Sequence, residues 1–261
     1  MTCICCKTNS VSARGHIISN FIRKRVTGIE TRSGKRFEFH WSGQKGPTQD
    51  LQKRLLMCKA CDNGAGSAIE ERSATLLMPP DPSNPDQWDE MPLVPVELLE
   101  FAGEPFKLAY YDYESSADQD YLDAFALLTA WRAVHALALD GQPAASKFLN
   151  SPKGKAVDIE VADYLHEVHT SNQIAPQPVP TAALYWQGPR MAVILSGKDD
   201  EMPFAWAVLE DQEPLGVAVL FGFWVILWPF FDESDEPEKY ETLKRKCFID
   251  WNVEIMAWQR R

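Results

Sequence analysis

Beyond residue 61 the 261-residue chain has a single cysteine, Cys247, and it carries no GxGxxG, P-loop, GxSxG or HExxH pattern. Those missing motifs leave nucleotide hydrolysis, serine hydrolase and metalloprotease chemistry without support. No internal repeat or low-complexity tract is present. The opening residues, Met1-Thr2-Cys3-Ile4-Cys5-Cys6, offer neither a charged n-region nor an apolar h-region. The expectation is therefore no signal peptide and a cytoplasmic chain. Lys and Arg are also missing from the flanks of the 17-residue charge-free run Leu215 to Phe231, where Glu210, Asp211, Glu213, Asp232, Glu233, Asp235 and Glu236 stand instead. A spanning helix wants basic flanks and somewhat greater length. With Gly216, Gly222, Pro229 and many aromatic and β-branched residues, the run reads as buried strand, and no membrane partner is expected.

What is present is the composition of a globular protein: 45% hydrophobic, 24% charged and 11% aromatic, enough for a packed core and too apolar for general disorder. The formal net charge is −11, but it is unevenly distributed. Residues 1–75 hold 13 Lys and Arg against 6 Asp and Glu, a net of +7; residues 76–261 hold 13 against 31, a net of −18. A basic head precedes an acidic body.

Three blocks follow from the pattern. The head covers 1–78. Pro79, Pro80, Pro82, Pro85, Pro92 and Pro95 make 79–95 a Pro-rich linker, since proline prevents regular helix. The body covers 96–261. Within it, Tyr121, Ala124, Phe125, Leu128, Trp131 and His135 recur at helical spacing, predicting a helix from Asp118 to Asp140, capped by Asp118 or Ser116 and ended at Gly141. A second, weaker helix spans about Val157 to His169. Ala182–Trp186, Met191–Leu195, Phe204–Leu209 and Val217–Trp228 read as strands, and the tail Lys244–Trp258 fits strand or helix. The fold class expected is α+β, with an antiparallel sheet in the body and a zinc-binding treble-clef finger as the head.

The finger rests on five cysteines in the first 61 residues. Cys3-x-x-Cys6 and Cys58-x-x-Cys61 are two CxxC pairs with 51 residues between them. In a reducing compartment this reads as metal binding: each turn converges two thiolates, and two turns complete a four-sulfur shell for Zn²⁺. Cys5 can replace a neighbour as ligand, and Cys247 reads as a small core residue. Asp62-Asn63-Gly64-Ala65-Gly66 after the second pair can open a helix running to about Leu77.

CxxC, then His16-Ile17-Ile18, then Leu55-Leu56-Met57-Cys58-Lys59-Ala60-Cys61-Asp62 resembles the zinc-binding HNH (His-Me finger) endonucleases over about 70 residues. The strings GHIISNFIRKRVTG (15–28), QDLQKRLLMCKACDNGAG (49–66) and LLTAWRA (127–133) are also similar to bacterial proteins of uncharacterised activity with such an N-terminal finger. The HNH resemblance implies that His16 is the general base activating water against a phosphodiester. Asp62 and Asn63 would hold a catalytic Mg²⁺ or Mn²⁺. It also implies DNA as substrate and a setting such as phage defence, restriction or mobile elements. Two positions depart from the family pattern: Gly15 stands where an acidic residue often precedes the His, and Gln52 and Lys53 occupy the neighbourhood of a usual Asn.

Arg23, Lys24, Arg25, Arg36, Lys53 and Arg54 lie between the cysteine pairs, interleaved with Phe21, Phe37, Phe39 and Trp41. They are the candidate nucleic-acid contacts, with docking against the acidic body as the competing use of their charge. His40 is the second choice of active-site histidine. His166 and His169 sit at i and i+3 on the second helix, where they could share a metal, but no third ligand cluster is evident in the body and they read as a solvated face. Arg132 reads as the partner of an acidic neighbour or as the cap of a packing seam. The alternative to a nuclease is a non-catalytic zinc-finger protein that binds nucleic acid or a partner protein, with the acidic body as a protein-binding surface or a lid on the head.

Overall fold

A computed structural model describes residues 1–19, 21–22, 37–41, 44–48, 53–79, 87, 89–101, 104–171, 173–186, 204–208, 215–221, 224–232 and 234–250. It combines helices with two sheets whose pairings are antiparallel except for one. The small sheet joins β1 (Ala13–His16) to β4 (Lys53–Met57), with His16 opposite Lys53. The large sheet has eight strands in the order β3-β2-β8-β9-β10-β7-β6-β5. Its members are β2 (Phe37–Trp41), β3 (Gln44–Thr48), β5 (Leu93–Phe101), β6 (Glu104–Tyr111), β7 (Ala183–Trp186), β8 (Phe204–Val208), β9 (Gly216–Phe221) and β10 (Trp224–Pro229).

The charge-free run is strand, as expected, but it is a hairpin rather than one strand. Phe221 pairs with Trp224, so the chain reverses inside Val217–Trp228. Alternation explains the absence of charge. Val217, Val219, Phe221, Trp224, Ile226 and Trp228 enter the core cluster that holds the helices and the head, and Ala218, Leu220, Val225 and Leu227 enter another cluster. A strand buried on both faces has no polar side.

The long helix α2 (Ser116–Leu139) starts two residues before its expected position, because the Ser115 hydroxyl accepts from the Asp118 amide. Gly141, at φ 85°, ends it in the left-handed region. By length and composition α2 alone among the described helices could cross a membrane, but its apolar residues are mostly buried inside the protein. It is followed by α3 (Pro143–Asn150) and α4 (Pro152–Ser171), the latter containing the weaker helix expected from Val157. The tail Lys244–Trp258 begins in the last turn of α5 (Pro237–Arg245) and continues as a π-helical turn (Lys246–Asp250), its remainder lying outside the described residues, and Cys247 is buried against β-strand residues as expected. The expected strand Met191–Leu195 lies outside the described residues.

Packing crosses the division expected at the Pro-rich segment. That segment becomes strand at Leu93, with Pro95 next to a register shift in the β5–β6 pairing, where a missing amide does least harm. The β2–β3 hairpin of the first block forms one edge of the large sheet, with Phe39 in parallel register to Phe204. One buried cluster contains Cys3, Ile17, Cys58 and Leu77 together with Phe125, Trp131, Phe221 and Trp228. Phe125 of α2 is the pivot, its ring 5.7 Å from Phe21 of the head and 6.3 Å from Phe221 of β9. Tyr111 extends the same seam: its hydroxyl donates to the Leu77 carbonyl at 2.7 Å and accepts from Trp224 Nε1 at 2.8 Å.

Candidate metal centre and the residues around it

Both CxxC pairs are held in short hydrogen-bonded turns. In the first, Lys7 adopts φ 54°, its amide donating to the Cys3 carbonyl at 3.1 Å while the Cys3 amide donates to the Asn9 carbonyl at 2.8 Å. The reversal aims the Asn9 amide at Cys6 Sγ (3.5 Å) and the Asn9 side-chain amide at Cys58 Sγ (3.8 Å). In the second, Cys58 precedes a helical turn (Lys59–Cys61) whose first amide donates to Ser12 Oγ at 3.0 Å, so Cys58 and Cys61 share one face.

The sulfurs of Cys3, Cys6, Cys58 and Cys61 lie within 4.8 Å of one another, and Cys6 and Cys58 are 4.0 Å apart. Tetrahedral Zn–S bonds of about 2.3 Å give sulfur–sulfur edges of about 3.8 Å. The donor set fits a metal ion such as zinc, and the Asn9 contacts are of the kind that orient ligating thiolates. Burial opposes ionisation throughout. At Cys6 the Thr8 hydroxyl and the amides of Asn9 and Thr8 overcome it and bring the thiol down to about 5. At Cys58 the Cys61 amide and side chain and the Asn9 side chain lower the thiol below its usual range despite burial. Burial raises Cys3. It also raises Cys61, with the neighbouring Cys5 charge adding to the effect. Cys5 is pushed up to about 12 by burial, although its hydrogen bond with Cys61 acts the other way.

After Cys61 the chain forms a π-helical turn (Asp62–Gly66) that runs into α1 (Ser67–Leu76). This turn is pressed between β1, α2 and α4. A β-carbon on Gly15 would stand 2.7 Å from Asp62 Oδ1, so the Asp62 carboxylate lies against β1 at the residue before His16. A β-carbon on Gly66 would stand 2.7 Å from Arg132 Nη2, and one on Gly64 would collide with the His169 imidazole. The glycines let α2 and α4 approach. Arg132, buried on α2, donates to Asp62 Oδ1 at 3.0 Å and to Glu70 Oε1 at 2.7 Å, and its Nη1 is 3.5 Å from the His16 carbonyl oxygen.

Thus Asp62 and the Gly15–His16 strand end come together, and Asn63 is exposed beside them. Apart from the cysteines and His166, no described His, Asp or Glu joins a group of three metal donors. Arg54 pairs through Nε and Nη2 with both carboxylate oxygens of Asp140, at 3.0 and 2.7 Å. Lys53 lies opposite His16. Arg23, Lys24, Arg25 and Arg36 lie outside the described residues. His40 is on β2 opposite Lys45, in register with Ala205.

Sequence reasoning read Arg132 as an ion-pair residue or the cap of a packing seam, and passed over Asp158. Arg132 is the only fully charged residue between Asp123 and Asp140 in an otherwise apolar helix, and that isolation was the available signal. Asp158 of α4 accepts from His135 Nε2 (2.6 Å) and Trp131 Nε1 (2.8 Å) on Oδ1 and from Lys7 Nζ (2.7 Å) on Oδ2. Burial alone would raise its carboxyl, but His135, Lys7 and Trp131 hold it well below the usual range. No sequence spacing announces such a long-range cluster. Comparison with protein-family models, curated proteins and solved structures finds no match to this chain.

Proposed function

We propose that the head is a structural zinc finger of the treble-clef type. In this reading the protein is a non-catalytic zinc-finger protein that binds nucleic acid through its basic segment. The order of knuckle, antiparallel β1–β4 pair and helical segment opened by the second CxxC supports the treble clef. One observation carries the non-catalytic reading: the Asp62 carboxylate is committed to the buried Arg132. A carboxylate paired this way serves as a strut, and a guanidinium at that distance disfavours a second divalent cation on the same oxygen.

The nucleic-acid part rests on the +7 charge of residues 1–75 and on the Arg and Lys between the cysteine pairs. Arg54 is spent on Asp140, so the contact falls to Arg23, Lys24, Arg25, Arg36 and Lys53. Fluorescence anisotropy with labelled duplex DNA at increasing salt tests this. The expected result is binding that weakens steeply with salt and is lost in the Arg23→Ala, Lys24→Ala, Arg25→Ala triple variant. Binding that ignores salt and that triple change would overturn it, and retention of a protein partner by the acidic body would then be the remaining use.

A second reading, HNH-type hydrolysis of DNA, is favoured by Gly15. The carboxylate that the family pattern places next to the histidine is supplied here from Asp62 across space. In that reading His16 takes a proton from the attacking water, and Asp62 and Asn63 would hold an ion that offsets charge on the phosphate.

A further inference from the structure

Cys5 and His166 remain unexplained by the four-cysteine site. Cys5 is buried at 2% exposure in the middle of the first CxxC turn, where a small apolar residue would suffice. His166 is on α4, and among the described residues no hydrogen bond engages its ring. Yet the sulfurs of Cys5 and Cys61 and a ring nitrogen of His166 all lie within 4.8 Å of one another.

Two contacts explain how a helix some hundred residues away in sequence delivers that imidazole. Lys7, just past the knuckle, pairs with Asp158 and ties α4 to the first CxxC turn. Three helical turns later, His169 fits against Gly64 of the π-helical turn that follows Cys61. His166 sits one turn before His169 on the same side of α4. The helix is thus fixed at both ends of the region facing the cysteines, and His166 falls between the two fixed points.

We propose that Cys5, Cys61 and His166 form a second metal position, with Cys61 as a thiolate shared with the Cys3, Cys6, Cys58 and Cys61 site. The inference rests on the four-cysteine reading. Chemically the pair of positions is unequal. The first is closed, with four sulfur ligands. The second has two sulfurs and one nitrogen, an arrangement that leaves a fourth tetrahedral place for water or an anionic group of a ligand. Charge favours joint occupancy: four thiolates around one divalent ion leave a net of −2, whereas five thiolates and a neutral imidazole around two ions leave −1. The borderline-soft donors suit Zn²⁺ or Co²⁺ rather than Mg²⁺ or Ca²⁺.

The test is metal stoichiometry by inductively coupled plasma mass spectrometry on full-length protein, with Co²⁺ titration followed by absorption. The wild type should hold two equivalents. His166→Ala changes an exposed residue and should hold one, keeping the thiolate–cobalt band of the first equivalent and losing the change that accompanies the second. Cys5→Ala should likewise lose one equivalent. One equivalent in the wild type, or two in both variants, would overturn the second position. Zero equivalents in folded wild type would instead sink the four-cysteine reading on which it stands.

Discussion

The carboxylate of Asp62 occupies the space that the missing side chain of Gly15 leaves open: Oδ1 stands 2.7 Å from where that β-carbon would be. The end of a flexible side chain could usually move aside, but this one is held by Arg132 at 3.0 Å. Gly15→Ala should therefore cost about 1–3 kcal/mol, measured as a lower denaturation midpoint of zinc-loaded protein. Gly15→Asp, which restores the residue common in the HNH pattern, should cost more at neutral pH because it sets two carboxylates together. Equal stability of the three proteins would mean that Asp62 is not fixed.

Arg132 is the counterpart of that contact. Its side chain is 4% exposed, and its guanidinium bridges Asp62 and Glu70. Removing one side of such a buried set leaves charges without partners, so Arg132→Met should cost about 3 kcal/mol. Adding Asp62→Asn and Glu70→Gln to that change should recover part of the loss. A denaturation series on wild type, Arg132→Met, the Asp62→Asn/Glu70→Gln variant and the triple variant reads the coupling directly, and additive losses would argue against it.

Two aspartates pull the acid limb of stability in opposite directions. Asp158 has a carboxyl depressed below its ordinary 3.8 in the folded protein, chiefly because His135 outweighs the effect of burial. Its stabilisation is present at neutral pH and is lost as pH falls below about 4. Asp123 is raised by burial to about 6, so its contribution to stability is fully present below about pH 4 and is lost as pH rises from about 4 to 6. Thermal melts across pH 3–7 should show a flatter acid limb for Asp158→Asn, and for Asp123→Asn a loss of the decline between about pH 4 and 6.

Zinc should be felt far from the cysteines. Cys3, Cys58 and Cys61 belong to the same buried cluster as Trp131, Trp224 and Trp228. Cys58→Ser should release metal and lower the midpoint of a single unfolding transition followed by tryptophan fluorescence. A variant that loses metal but keeps an unmoved tryptophan transition would show head and body to be energetically separate.

Local signals were legible in the sequence, and non-local ones were not. The periodicity of Tyr121 to His135 found α2 to within two residues, and two CxxC pairs identified the four converging sulfurs. Both depend on neighbours within a turn or on thiolate chemistry. The pairing of Phe39 with Phe204 depends on residues 165 apart, and nothing in β2 encodes it. Prolines hid β5, because Pro95 reads as a breaker until a register shift accommodates it. The hairpin in Val217–Trp228 was hidden by apolar residues on both faces, which erase the alternation that marks a turn. At the site, Asp62 was found by its position after Cys61, whereas its restraint by Arg132 comes from a helix 70 residues away.

The most direct measurement is supercoiled-plasmid nicking by zinc-loaded wild-type protein with added Mg²⁺ or Mn²⁺, alongside His16→Ala. With Asp62 held by Arg132, the two proteins should leave the plasmid equally intact while both retain the metal of the four-cysteine site. Metal-dependent nicking by the wild type that disappears in His16→Ala would contradict the structural reading of the finger and establish the hydrolytic one.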